Sequence, residues 1–152
     1  MAETLGMLCD KLTIVKLKEY HTEDAGRLES LKKQSGQLQE EIDEYITLAV
    51  NGAIPLERLT FAANKVFKKE GNEVGEVTGQ IGHVFYQLAD VNCRLWHEQE
   101  KVYEFEKVEP AEKDKVVKKL ALLNLERNKC IDSINQQFLQ MISARPSDSK
   151  SI

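Results

Sequence analysis

The chain has 152 residues, of which 41% are hydrophobic and 30% charged, and its net charge is −4. That length suits one domain with a core of its own. The interleaving of acids and bases excludes the basic footprint that nucleic acid requires, and no stretch approaches the ~18 apolar residues of a membrane span.

The helical period dominates from end to end, and nothing reads as a strand. Thr4 or Glu3 opens a first helix that runs to about His21. Thr22, followed by Glu23, Asp24 and Ala25, has the form of a cap with acids in the next first turn. A second helix then carries Leu28, Leu31, Leu38, Ile42, Tyr45 and Ala49, and Asn51-Gly52 stops it. The pattern leaves open whether these are two helices or one rod bent at Gly26. Pro55 suits the first turn of a short helix through Leu56, Leu59 and Phe61 toward Phe67. KKEGNE (68–73) reads as a loop. A long helix follows from about Val74 to Glu106, despite Gly75, Gly79 and Gly82. Pro110 breaks the chain, and a last helix runs from about 111 to 143, roughly 50 Å at the standard rise. The expected fold is all-α: an antiparallel, up-and-down bundle of four long helices plus one short helix, one domain over 1–143 with a polar tail over 144–152.

The 3 cysteines, Cys9, Cys93 and Cys130, are far apart. No CxxC pair exists, which excludes a zinc ribbon or a thioredoxin-like motif. They read as small buried apolar residues. MAETLGMLCDK carries early charges and no apolar run of a secretory leader, so a cytoplasmic setting is expected.

KLTIVKLKEYHTED (11–24) aligns with QLADVNCRLWHEQE (87–100), matching Tyr20 to Trp96, His21 to His97 and Asp24 to Glu100. LADVN (88–92) aligns in turn with LALLN (120–124). On helical wheels, Ile81, Val84, Leu88, Leu95 and Val102 form one stripe, with Asn92 inside it. Val116, Leu120, Ile131, Ile134 and Phe138 form another, with Asn124 inside it and Arg127 near its centre. The first helix contributes Leu5, Leu8, Leu12 and Val15, and its stripe continues into Glu19. Charges at such positions need partners. The expectation is a buried polar layer of Glu19, Asn92, Asn124 and Arg127, with Glu19 facing Arg127 and with Asp10 and Glu98 as alternative partners. Such a layer either fixes register or binds a ligand.

Two metal readings compete with a bland one. His21/Asp24 and His97/Glu100 have the i, i+3 spacing that lets two side chains share an ion. Di-iron bundles use the reverse order and need further inward glutamates, and the wheel turns His97 and Glu100 away from the main seam. MazG-type nucleotide pyrophosphatases carry Glu-Glu-x-x-Glu, which Glu40, Glu41 and Glu44 supply. Their second pair is lacking: Gln87-x-x-Asp90 offers an amide and Glu73-x-x-Glu76 departs by one residue. The bland reading is aromatic anchoring by Tyr20 and Trp96 beside surface histidines. No cofactor is expected. KVFKK (65–69) reads as a solvated basic loop, and no nucleophile motif or phosphate loop occurs.

LGMLCDKLTIVKLKEYH resembles the Leu-Ile-Asp-Lys-Leu opening of uncharacterised bacterial and phage helical families. LADVNCRLWHEQE resembles their Asn-x-x-Leu-Trp-x-x-Glu motif, and LLNLERNKCIDSIN their closing Asn-x-x-Arg element. The matching positions are Asp10, Lys11, Asn92, Trp96, Glu100, Asn124 and Arg127, while Cys9 departs from the usual aliphatic residue. The resemblance implies a helical domain of unassigned activity, sometimes encoded beside polysaccharide glycosyltransferases. The first expectation for function is a non-enzymatic helical interaction or assembly module, binding a protein partner or itself as a homodimer. Its alternative is a small-molecule- or metal-dependent enzyme with its site at the polar layer.

Overall fold

The structure is a computed structural model that describes residues 3–61 and 77–144. Four α-helices follow one another: α1 (Leu5–His21), α2 (Ala25–Val50), α3 (Ile81–Tyr103) and α4 (Pro110–Ser143). Short 3₁₀ turns at Leu56–Arg58 and Phe105–Lys107 lie in the connections. The stretch expected as the end of the short helix, the KKEGNE loop and KVFKK lies outside the described residues, as does the polar tail beyond Ala144.

Local chemistry sets the boundaries. The Thr4 hydroxyl accepts from the Met7 N–H and opens α1. Thr22 closes α1 rather than opening α2: its N–H donates to the Glu19 carbonyl and its hydroxyl to that of Lys18. Asp24 is the N-cap of α2, accepting from the N–H groups of Gly26 at 2.8 Å and Arg27 at 3.3 Å. Thr22–Asp24 are extended at both caps, so α1 and α2 are separate helices. The third long helix starts later than the apolar pattern predicts. Gly79 has φ +99°, which no helix admits, and Gln80 is an extended cap. The Gln137 side-chain amide donates to the Gly79 carbonyl at 3.0 Å and ties this start to α4.

Successive helices run antiparallel. Arg94 reaches Glu126 and Glu98 reaches Lys119 across the α3–α4 hairpin. Gly6 meets Asn135 and Asp10 meets Arg127, so α1 is antiparallel to α4. Asp10 meets Asn92 and His21 meets Trp96, so α1 is parallel to α3. The result is an up-and-down bundle in which α1 packs on each of the other three helices. That position explains why Met7, Ile14 and Leu17, off the main stripe of α1, are also half-buried.

The core is built from Leu5, Val84, Leu88, Leu95, Ile134 and Phe138, among others. The predicted stripes supply most of it. Val102 departs, being 42% exposed. His21, the last residue of α1, stacks on Trp96, and Val102 stands about 9 Å further along α3, where α1 no longer covers it. α2 reaches the core only through its C-terminal half, by Ile42, Tyr45, Ile46 and Ala49. Its seam residues Leu28, Leu31, Ser35, Leu38, Ile42, Tyr45 and Ala49 alternate three and four apart, the spacing of an antiparallel coil against α1. Leu28, Leu31 and Leu38 stay half-buried.

Candidate functional site

The polar layer centres on Asp10, a residue that is 4% exposed. Its Oδ1 accepts from Arg127 Nε and from Asn92 Nδ2, both at 2.9 Å, and its Oδ2 accepts from Arg127 Nη2. The second Asn92 Nδ2 hydrogen goes to Thr13 Oγ1 at 2.7 Å, and that hydroxyl donates to the Asp10 carbonyl. The hydrogen bond to Asp10 outweighs burial and raises the Arg127 guanidinium above its ordinary value. Both carboxylate oxygens and both amide hydrogens are thus committed within the chain.

Two members of the expected layer stand elsewhere. Glu19 does not pair with Arg127. Because α1 and α4 are antiparallel and Asp10 is level with Arg127, Glu19 lies about 14 Å away along the axis. Matching wheel positions come level only between parallel helices. Glu19 Oε2 is buried without a hydrogen-bond partner among the described residues. Asn124 is half-buried, and its carbonyl accepts from Asn128 Nδ2 at 2.9 Å. No hydrogen bond joins it to Asn92 among the described residues.

Two buried polar residues escape the wheel. Glu98, 5% exposed on α3, takes Lys119 at 3.0 Å and Lys101 at 3.2 Å on Oε1. Burial pushes its carboxyl up, but the hydrogen bonds and charges of Lys119 and Lys101 outweigh that and hold it below the usual glutamate value. Its Oε2 has no hydrogen-bond partner among the described residues. Asn135 on α4 accepts from the Gly6 N–H at 2.7 Å and so satisfies a first-turn donor of α1. Gly6 allows this approach, since a Cβ there would stand 2.5 Å from the Ile131 carbonyl oxygen. The sequence offered Glu98 only as an alternative partner for Arg127, whereas it pairs with Lys119 and Lys101, and no sequence signal marks Asn135.

The repeated histidine motifs do come together. The His21 ring stacks on Trp96 with centroids 4.6 Å apart, and His97 meets His21 edge-on at 6.3 Å. Nδ1 of His21 is hydrogen-bonded to the Leu17 carbonyl at 2.8 Å. His97 Nδ1 is 3.6 Å from Glu100 Oε1, both exposed, while Asp24 is occupied as the α2 cap. Among the described residues no group of three or more His, Cys, Asp or Glu is placed to hold a metal. Glu40, Glu41 and Glu44 are exposed on α2, which packs on α1, whereas Gln87 and Asp90 belong to α3. Cys9 and Cys130 are buried, and burial first, with Asp10 and Glu126 adding, pushes each thiol up to about 11.

A second feature runs along the outside of the α1–α2 hairpin. One cleft, about 880 Å³, has Leu8, Tyr45, Leu48, Ile54 and Phe61 as apolar lining. Burial raises the Tyr45 hydroxyl, against a smaller lowering from the Leu5 backbone. A neighbouring cleft shares Lys11 and Glu41 with the first and adds Ile14, Val15 and Leu38. A third shares Lys18 and Gln34 with the second and adds Leu31 and Arg27. Together they form one groove down the hairpin, apolar in its floor, with Lys18 and Arg27 at one end and Glu3, Glu41 and Glu44 toward the other.

Among the described residues no helix is long and apolar enough to cross a membrane. Compared with family models, curated proteins and solved structures, the chain matches none of them.

Proposed function

We propose that this protein is a non-enzymatic helical assembly module that self-associates through the open side of its α1–α2 hairpin. The observation that carries this reading is the seam of α2. Leu28, Leu31 and Leu38 lie on the α2 face that packs on α1, are only half-buried and stand outside the main core of the described residues. Most helix stability in water comes from burying an apolar face against a neighbour, and a two-helix stretch covers that face only in part. A groove with an apolar floor and charged rim beside such a seam suits an incoming helix. The Asp10 layer supports the same reading from the other side, since its oxygens are already taken up by Arg127 and Asn92.

Sedimentation of the purified chain over a range of concentrations, with hydrogen exchange on the same samples, tests it. The expected result is a mass that rises with concentration, together with slower exchange in residues 25–41. A constant monomer mass with unchanged exchange overturns it.

A further inference from the structure

The charges of α2 are unevenly distributed. Arg27, Lys32 and Lys33 lie in its N-terminal half, with Glu29 as the exception, and Glu40, Glu41, Asp43 and Glu44 lie in its C-terminal half. The acids stand three and four apart, where like charges repel along a helix. Among the described residues no charge of α2 takes part in an ion pair, whereas α3 and α4 are joined by pairs such as Arg94–Glu126 and Glu98–Lys119. Among the described residues this gradient therefore has no internal partner.

Groove geometry supplies the rest. The polar and charged α2 residues that line it are Arg27, Ser30, Gln34, Gln37, Glu41 and Glu44, again three and four apart and hence one strip. Set against itself in reverse, this strip places Arg27 opposite Glu44, Ser30 opposite Glu41, and Gln34 opposite Gln37. A parallel arrangement would oppose like charges. Self-complementarity of this kind is the property of an interface about a two-fold axis, in which residue i meets j and j meets i.

We propose that the groove seats a second copy of this chain, docked about a two-fold axis near Gln34 and Gln37. The two α2 helices run antiparallel, and Lys18 and Arg27 of each copy face Glu41 and Glu44 of the other. This rests on the assembly reading above and names the partner and its geometry. Lys11 and Arg58 share the acidic end of the groove. Lys11 is engaged by Glu3 within its own copy, and Arg58 belongs to the 3₁₀ turn rather than to α2, so α2 itself stays acidic there.

The test uses two variants of the full chain, K18E/R27E and E41K/E44K, all at exposed positions. The first makes the strip acidic throughout and the second makes it basic throughout. Measured by native mass spectrometry and sedimentation at low salt, each variant alone is expected to self-associate at least about tenfold more weakly than the unmodified chain. An equimolar mixture is expected to form a one-to-one heterodimer. Far-ultraviolet circular dichroism spectra matching the unmodified chain, with a cooperative melt, show that both variants are folded, and pairing in the mixture shows it again. If the unmodified chain self-associates and the variants do so equally well, or if the mixture does not pair, this docking is overturned and the assembly reading stands. If the unmodified chain is monomeric throughout, both fall.

Discussion

Asp10 and Arg127 lie 117 residues apart and meet through two parallel hydrogen bonds that join α1 to α4. Asn92 of α3 donates to the same carboxylate, so three helices are fastened at one residue. A buried ion pair contributes little over an apolar substitute, but a broken one is costly. Asp10 is buried but Arg127 only half-buried, so Asp10→Ala is expected to destabilise the chain by about 2–3 kcal/mol in urea unfolding. Replacing Asp10 and Arg127 together by leucine is expected to recover most of that loss. A single substitution costing under ~1 kcal/mol would show that the pair is open to water.

Gly6→Ala introduces a Cβ 2.5 Å from the Ile131 carbonyl oxygen, a backbone atom that cannot turn aside. The expected cost is about 1–3 kcal/mol. Asn135→Ala removes the acceptor for the Gly6 N–H and is expected to cost about 1–3 kcal/mol by leaving a buried donor unpaired. The two variants touch one contact, so the double variant should fall short of their sum.

Glu98 carries the acid dependence of the α3–α4 hairpin. Its folded carboxyl titrates below its unfolded value, which is about 4.3. The ion pair therefore contributes in full above that unfolded value and is lost as the pH falls through the lower, folded one. Unfolding free energies of the unmodified chain and of Glu98→Gln, measured from pH 7 to pH 2.5, should differ most at neutral pH and converge in acid. A constant difference would place the charge outside the effect.

Trp96 is the only tryptophan, so its emission reports the stack with His21. His21→Ala is expected to raise quenching by acrylamide and shift the emission to the red. The loss in stability should be about 0.5–1.5 kcal/mol.

Thiol labelling separates the cysteines. Cys93 is half-buried, whereas Cys9 and Cys130 are buried with thiols pushed up to about 11. At pH 8 the native chain should label first at Cys93, and the other two should react at the rate of unfolding.

The sequence carries the helices, their order and most of the core, because apolar periodicity reports which face of a helix is covered. Asn92 and Arg127 were legible for the same reason, as polar residues interrupting apolar stripes. Glu19 interrupts a stripe too, yet antiparallel packing carries it a long way from Arg127. Asp10 emerges only as an alternative partner. α1 is covered by three helices, so its buried arc is wider than any one stripe. Glu98 emerges likewise only as an alternative partner for Arg127, and Asn135 not at all, because both owe their burial to neighbours that come near only after the chain has turned. The start of α3 depends on a left-handed glycine, Gly79, which the apolar pattern on either side conceals.

The central position of α1 bears on how the chain is made. A ribosome delivers α1 well before Asn92, Arg127 and Asn135, which satisfy its buried polar groups. Until then Asp10 has no cation and the Gly6 N–H no acceptor, so α1 cannot settle into its final surroundings during synthesis. Nascent chains ending before Arg127 should stay open to protease, and closure should follow the arrival of α4.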